Sequence, residues 1–186
     1  MLKPSVLVID VIHDFVHGKF GSERARGILS PLKALLEDAR RVGVPVIYVT
    51  DSHLPGVDGE FEVWGEHAVG GSEGAEIVGE VGPMEGDHRV LKRRYSCFFA
   101  TGLDALLREL GVDTLILTGL VTNICIQHTA ADAFFRGYRV YVPRDCVESA
   151  TDGAQEASLS YMEEMYGAQI TSSEGLIEGF LKGDEG

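Results

Sequence analysis

The chain has 186 residues, enough for a single domain over 1–186, and its hydrophobic content of 45% is ordinary for a soluble globular protein. Its 29 acidic and 16 basic residues give a formal net charge of −13 at pH 7. A surface of that charge repels phosphate backbones and anionic lipids, so neither nucleic acid nor a membrane is an expected partner. No apolar run approaches the roughly 20 residues that a membrane-spanning helix requires.

The N-terminal segment and the cysteines both indicate a cytoplasmic protein. The opening residues are MLKPSVLVID, in which a short apolar run stops at an aspartate, and this predicts a first strand rather than a signal peptide. The three cysteines, Cys97, Cys125 and Cys146, form neither a CxxC pair nor an even framework. We therefore expect free thiols in a reducing compartment, with Cys97 and Cys146 in the core.

Short apolar runs alternate with helical patterns along the chain. The runs lie at 5–10, 44–50, 88–92, 113–119 and 138–145, with a weaker sixth at 168–173. Strands of this kind are typical of a parallel sheet buried on both faces. Helical patterns lie at 27–43, 101–111, 123–137 and 152–167. The alternation predicts a Rossmann-like three-layer α/β/α sandwich with a mainly parallel sheet of five or six strands. The long, Gly-rich segment 51–87 is expected to be a lid or a binding loop.

Polar residues follow four of the apolar runs. Asp10 follows the first, Asp51 the second with His53 nearby, Lys92 ends the third, and a glycine turn after the fourth leads to Cys125. The carboxyl ends of parallel strands meet at one edge of a sheet, where ligands bind. Taken singly, each residue has a plainer explanation as a turn cap, a solvated lysine or a packed cysteine.

Together these groups would support amide hydrolysis through a thioester. A helix N-terminus and a nearby ammonium both lower the pKa of a thiol, which predicts a thiolate at neutral pH for Cys125. An aspartate within reach can take the thiol proton and later return it to a leaving group. Backbone N–H groups of the turn before Cys125 could bind an oxyanion.

Four segments, in order, resemble the isochorismatase-like cysteine hydrolases, whose best-known amidases are nicotinamidases. They are VLVIDVIHDF, KRRYSCF, GLVTNICI and FFRGYRVYVPRDCVES. The resemblance implies a triad of Asp10 as acid and base, Lys92 as thiol activator and Cys125 as nucleophile. It also implies a cis peptide between Leu120 and Val121, which would turn the Val121 N–H toward the oxyanion beside the N–H of Cys125.

The amidase branch of that family adds a metal site and an aromatic pocket. The resemblance places the metal ligands at Asp51, His53 and His67, a set that suits Zn²⁺, with Mn²⁺ or Fe²⁺ as alternatives. Such a metal would bind a pyridine nitrogen of the substrate. It further implies Phe15 and Trp64 as the pair that sandwiches the ring, with Tyr95 as a third substrate-binding residue. No organic cofactor is expected.

This sequence departs from the nicotinamidase pattern at three places. Residues 54–60 lack a further histidine and offer only Asp58 and Glu60, Ala68 stands where a cysteine is common, and Ile12 replaces a glutamine. An interpretation without metal therefore stays open, in which Asp51 and His53 cap loops and His67 is a hydrogen-bonded loop residue.

The expected function is hydrolysis of a small amide, most plausibly nicotinamide, by a homodimer or homotetramer. The alternatives are an isochorismatase, which cleaves a vinyl ether, or a ureido- or carbamoyl-amide hydrolase of the same family. A more distant alternative is a flavodoxin-like binding module with an unreactive Cys125. Arg93 and Arg94 are expected to pair with surface acids rather than form a nucleic-acid patch.

Overall fold

A computed structural model describes residues 2–182, which form a three-layer α/β/α sandwich around a parallel sheet. The strands are β1 Pro4–Ile9, β2 Val46–Asp51, β3 His88–Lys92, β4 Thr114–Leu120, β5 Arg139–Pro143, β6 Val147–Glu148 and β7 Gln169–Thr171. Their spatial order is β3-β2-β1-β4-β5-β7, and the short β6 pairs with β4. The predicted fold class is confirmed, and the structure adds β6 to the six strands expected.

Eight α-helices connect and cover the strands within the described residues. They are α1 His13–Val16, α2 Glu23–Gly27, α3 Leu29–Arg41, α4 Glu60–Trp64, α5 Leu103–Glu109, α6 Gln127–Phe135, α7 Asp152–Tyr166 and α8 Leu176–Lys182. The helix predicted at 123–137 begins with a π-helical turn, Thr122–Ile126, before α6. The segment 51–87 is not wholly irregular, because it contains α4 and two short 3₁₀ turns. Among residues 2–182, no helix is both long and apolar enough to cross a membrane.

Alternate residues of β1 point into two separate cores, one on each face of the sheet. Leu7 and Ile9 belong to the core beneath α5, α6 and α7, whereas Val6 and Val8 belong to the core beneath α3. This follows from the two-residue period of a strand. α3 buries four residues in its core, namely Leu32, Leu35, Leu36 and Ala39. Burial of each leucine contributes roughly 1.5–3 kcal/mol.

The prediction that the strands are buried on both faces is confirmed for the central strands and is wrong for β3. Every residue of β2 and β4 is buried, but β3 is at the edge of the sheet and its exposure alternates. Leu91 is 64% exposed, and its neighbour Lys92 is 1% exposed. Side chains of a strand alternate between its two faces, so Leu91 lies on the exposed face and Lys92 is directed into the protein.

The close approach of β4 to β1 depends on Gly119. This residue pairs with Ile9 and has φ of +107°, and a Cβ atom there would lie 1.9 Å from the Ile9 carbonyl oxygen. Only glycine tolerates this geometry. Asp10, the residue directly after β1, itself has a positive φ of 51°. The strand ends that carry the predicted active-site residues are thereby held side by side.

Candidate active site

The predicted catalytic residues meet at the carboxyl edge of the sheet. Asp10 directly follows β1, Asp51 ends β2 and Lys92 ends β3, and Asp51 and Lys92 are register partners. Cys125 lies in the π-helical turn that follows β4. Because β3, β2, β1 and β4 are successive neighbours in a parallel sheet, their ends bring the four side chains to one place.

The ammonium of Lys92 is at the centre of this group. Its Nζ atom lies 2.7 Å from Asp10 Oδ2, 2.7 Å from Asp51 Oδ1 and 3.6 Å from Cys125 Sγ. The backbone N–H of Asp51 donates a hydrogen bond of 2.7 Å to Asp10 Oδ1. A carboxylate oxygen of Asp10 and Cys125 Sγ lie within 4.8 Å of each other, so Asp10 is within reach of the thiol proton.

Burial and the surrounding charges set the protonation states of these groups. Burial, reinforced by the charge of Asp51, raises the pKa of Asp10 to about 6 against the opposing effect of Lys92. Burial also disfavours the ammonium of Lys92, but the negative groups around it outweigh this and hold its pKa well above the ordinary value. For Asp51 burial is likewise outweighed, chiefly by Lys92, and its pKa is lowered. Near neutral pH, both carboxylates and the ammonium are charged.

The expectation of a thiolate at Cys125 is wrong for the resting enzyme. Burial raises the pKa of this thiol well above its ordinary value, and Asp10 and Asp51 raise it further. The ammonium of Lys92 acts in the opposite direction but does not prevail. Burial and the two carboxylates together outweigh the single cation, so the thiol stays protonated until a base removes its proton.

The thiol opens onto a cavity of about 320 Å³ with an apolar, aromatic wall. Phe15, Trp64 and Tyr95, the three residues expected to bind substrate, all line it. The Trp64 indole N–H donates a hydrogen bond of 3.0 Å to the Tyr95 hydroxyl. A fourth aromatic residue, Phe20, also lines the cavity, and its ring centroid lies 5.5 Å from that of Phe15. No motif in the sequence pointed to Phe20.

The turn that leads from β4 to Cys125 lines the same cavity. The peptide bond between Leu120 and Val121 is cis, as the resemblance implied. Leu120, Val121 and Cys125 all line the cavity. The backbone N–H groups expected to bind the oxyanion, those of Val121 and Cys125, therefore belong to residues that line the cavity together with the thiol.

The three expected metal ligands lie together, and Glu60 joins them. One ligand atom from each of Asp51, His53, Glu60 and His67 lies within 4.8 Å of the other three. His53 Nε2 lies 3.6 Å from Asp51 Oδ2 and 3.7 Å from Glu60 Oε2. The sequence has Glu60 in the segment where nicotinamidases carry a further histidine. The spacing of 54–60 did not indicate that the side chain of Glu60 would point toward the other ligands.

The histidine rings of this group suit a cation. His67 Nδ1–H donates a hydrogen bond of 2.8 Å to the Gly65 carbonyl oxygen, which leaves its Nε2 with a lone pair. His53 Nε2 is buried and has no hydrogen-bond partner in the described chain. Burial lowers the pKa of His67, so its ring is neutral near pH 7. Two carboxylates and two imidazoles with an orphaned nitrogen are a donor set that fits a divalent transition metal.

Arg93 and Arg94 were expected to pair with surface acids, and this prediction is wrong. Their partner is Asp58, whose side chain is 0% exposed. The hydrogen bonds from Arg93 hold the pKa of Asp58 far below its usual range. Sequence position alone could not show this, because residue 58 lies in a loop with no hydrophobic period. Cys97 and Cys146 are buried, as predicted.

Comparisons with known proteins agree with this geometry. A family model described as the isochorismatase domain matches residues 4–174. The chain is 39% identical to the N-carbamoylsarcosine amidase of Thermoplasma acidophilum, with a TM-score of 0.88 over 93% of this chain and 98% of that one. It is 30% identical to the nicotinamidase PncA of Bacillus subtilis, with a TM-score of 0.87 over 92% of this chain and 100% of that one.

A third solved structure bears on the metal group. The pyrazinamidase of Pyrococcus horikoshii, solved in complex with zinc, is 26% identical, with a TM-score of 0.85 over 91% of this chain and 99% of that one. Fold, site geometry and a family model that spans most of the sequence all lead to one assignment. The chain belongs to the isochorismatase family and is an amidohydrolase that acts on carbon–nitrogen bonds.

Proposed function

We propose that this enzyme hydrolyses a small uncharged amide, with nicotinamide as the first candidate, and that it does so through a thioester on Cys125. The observation that carries the proposal is the position of Lys92 Nζ, 2.7 Å from Asp10 Oδ2 and 3.6 Å from Cys125 Sγ. The adjoining cavity of about 320 Å³ is of a size that suits a small ring amide.

Asp10 acts as the base and then as the acid. As Cys125 Sγ attacks the amide carbon, the thiol proton passes to the Asp10 carboxylate, and the carbonyl oxygen becomes an oxyanion that the N–H groups of Val121 and Cys125 stabilise. When the carbon–nitrogen bond breaks, Asp10 returns the proton to the leaving nitrogen, which departs as ammonia. Water then attacks the thioester and gives a proton to Asp10, which passes it to the departing sulfur.

Lys92 keeps its charge throughout this cycle. Negative charge moves from the Asp10 carboxylate to the oxyanion and back, and the ammonium between Asp10 and Cys125 offsets it at each stage. A base with a pKa of about 6 is ionised at neutral pH yet still able to accept a proton. The match between this pKa and the working pH supports the role of Asp10.

The charges around the cavity favour an uncharged substrate. Its charged lining residues are the acids Asp51, Glu60 and Glu148, and no lysine or arginine of residues 2–182 lines it. Arg24 approaches from outside, but its guanidinium is bound to Glu148 and Asp152. A substrate that carries its own carboxylate would therefore find no lysine or arginine of this lining to bind it, whereas a neutral ring amide needs none.

We infer that Asp51, His53, Glu60 and His67 hold a divalent ion, with Zn²⁺ the first candidate and Mn²⁺ or Fe²⁺ as alternatives. The zinc complex of the Pyrococcus horikoshii pyrazinamidase supports this choice. A bound ion would supply a Lewis-acid contact for a ring nitrogen of the substrate. The chain's own contribution is to hold that ring between aromatic side chains with its amide carbon toward Cys125.

A carbamoyl- or ureido-amide hydrolase is the second candidate. The observation in its favour is the 39% identity to the N-carbamoylsarcosine amidase. Its substrate carries a carboxylate, for which the described cavity lining offers no lysine or arginine. An isochorismatase reaction is less well supported, because cleavage of a vinyl ether does not need the thiol and ammonium that this chain retains. A binding module without catalytic activity would not require the buried contact between Asp10 and Lys92.

A substrate panel tests these alternatives. We expect purified protein to release ammonia from nicotinamide faster than from N-carbamoylsarcosine, to lose this activity with a chelator, and to lose it in Cys125→Ser. Ammonia release that survives Cys125→Ser would contradict the cysteine mechanism, and a preference for the carbamoyl substrate would favour the second candidate. Assembly as a homodimer or homotetramer and a cytoplasmic location stay predictions of the resemblance, and light scattering would measure the first.

A further inference from the structure

The ring of His53 has different surroundings at its two nitrogens. Nδ1 lies 3.0 Å from Asp58 Oδ2, whereas Nε2 is buried without a hydrogen-bond partner among the described residues. Carboxylates can only accept hydrogen bonds, and only that of Asp58 lies within hydrogen-bond distance of the ring, so the proton of a neutral ring lies on Nδ1. Nε2 then presents its lone pair toward Asp51 and Glu60, at 3.6 Å and 3.7 Å.

Asp58 is itself held from several directions. Its side chain is 0% exposed, and its Oδ2 atom accepts a hydrogen bond of 2.9 Å from the Leu54 N–H. Arg93 Nε lies 3.0 Å from Oδ1 and 3.1 Å from Oδ2, and Arg93 Nη2 also donates to Oδ1. A weaker contact comes from Arg94 Nη1 at 3.4 Å from Oδ1. The carboxylate therefore cannot rotate away from His53 without breaking several bonds.

We propose that Asp58 and Arg93 are positioning residues that fix the tautomer and orientation of His53 for metal binding. The inference rests on the proposed metal site. Asp58 receives the Nδ1 proton, Arg93 locks Asp58, and the His53 Nε2 lone pair is directed at the other three ligands. Mutation of a carboxylate that binds the outer nitrogen of a metal-ligating histidine typically lowers metal affinity by roughly 10–100-fold.

The end of β3 thereby supports two sites with consecutive residues. Lys92 turns inward and binds Asp51, while Arg93 turns toward the loop and binds Asp58. The nucleophile Cys125 contacts Lys92, and no described contact joins it to Arg93. Loss of Arg93 is therefore expected to weaken metal binding without removing a direct contact of Cys125.

The test measures metal affinity and the tautomer, and it uses no substrate. Zn²⁺ affinity is determined by competition with a chromophoric chelator for the wild type, Asp58→Asn and Arg93→Gln. Arg89→Gln is the matched control, because Arg89 is an exposed arginine on the same strand. We expect Asp58→Asn and Arg93→Gln to bind Zn²⁺ roughly 10–100-fold more weakly than the wild type, and Arg89→Gln to match it. Histidine ¹⁵N spectra of the metal-free wild type, recorded at a pH high enough for the His53 ring to be neutral, should show its single proton on Nδ1.

Several results would overturn the proposal. They are affinities of Asp58→Asn and Arg93→Gln within twofold of the wild type, a His53 proton on Nε2, or a wild type that binds Zn²⁺ no better than His53→Ala. Should Asp58→Asn not fold, Arg93→Gln decides, because its side chain is 45% exposed and its loss leaves no cavity in the core. An enzyme that fails on nicotinamide but shows the expected affinities would refute the proposed substrate and leave this inference standing.

Discussion

Lys92 donates a hydrogen bond of 2.7 Å to Asp51 Oδ1, so the ammonium of the proposed triad is bound directly to a candidate metal ligand. The other oxygen of Asp51 faces His53 at 3.6 Å. One carboxylate therefore contacts both halves of the site. A cation held by these ligands would therefore be coupled to the nucleophile through Asp51.

Lys92→Met should remove activity and destabilise the protein. The change leaves Asp10 and Asp51 as buried neighbours without their cation, and breaking a buried ion pair in this way costs about 3–5 kcal/mol. The pKa of Asp10 is already raised, and loss of Lys92 raises it further. When the pKa of a carboxyl group is higher in the folded state than in the unfolded state, the free energy of unfolding decreases as pH rises through the folded-state pKa. Thermal unfolding should therefore show that the deficit of Lys92→Met is smallest near pH 5 and grows toward pH 8.

Arg89→Met serves as the control for that measurement, because Arg89 is exposed on the same strand. It should unfold near the wild-type temperature at every pH. A Lys92→Met protein as stable as this control across the pH range would contradict the ion-pair account.

The pH profile of kcat/KM should have an acid limb near pH 6. Asp10 must be ionised to accept the thiol proton, and burial places its pKa at about 6. Below this point the rate should fall roughly tenfold per pH unit, because the fraction of carboxylate falls by that factor. The pKa of Lys92 lies well above its ordinary value, so deprotonation of Lys92 should not reduce activity between pH 7 and 9. An acid limb near pH 4 would show that the pKa of the base is not raised, which contradicts the effect assigned to burial of Asp10.

Iodoacetamide should label Cys125 before Cys97 or Cys146. Cys125 lines the cavity and is 5% exposed, whereas the other two are 0% exposed. The pKa of the Cys125 thiol is raised, so the labelling rate should increase as pH rises from 7 to 9. Peptide mass spectrometry identifies the labelled site. Equal labelling of Cys125 and Cys97 would support a binding module without chemistry.

Glu60→Gln should weaken Zn²⁺ binding without lowering the stability of the metal-free protein. Burial and the nearby charge of Asp51 raise the pKa of Glu60, so neutralising it removes a repulsion when no metal is bound. Affinity should fall roughly tenfold or more, as expected for a lost contact at a metal site. Glu62→Gln is the control, because Glu62 is an exposed residue of the same helix. Equal affinities of Glu60→Gln and Glu62→Gln would remove Glu60 from the ligand set.

The sequence was sufficient to predict six of the seven described strands and the meeting of Asp10, Lys92 and Cys125. Each strand is a short apolar run, and parallel strands place the residues that follow them at a common edge. That argument needs only chain order and hydrophobic pattern. It does not need the packing of any particular side chain.

The inward turn of Glu60, the burial of Asp58 and the aromatic wall at Phe20 could not be predicted in this way. They lie in irregular segments or short helices, where no hydrophobic period assigns a residue to the inside or the outside. The protonation of Cys125 was mispredicted for a related reason. The local motif suggested a cation and a helix end, but the pKa depends on burial and on two carboxylates that only the folded chain brings near.

The central claim is that Cys125, with Asp10 and Lys92, forms a thioester during hydrolysis. Acid quenching during turnover of nicotinamide, followed by peptide mass spectrometry, tests it directly. The account predicts an acyl group on the peptide that contains Cys125, and none in Cys125→Ser or on Cys97. Turnover of nicotinamide with no acylated cysteine, and with activity retained in Cys125→Ser, would contradict it.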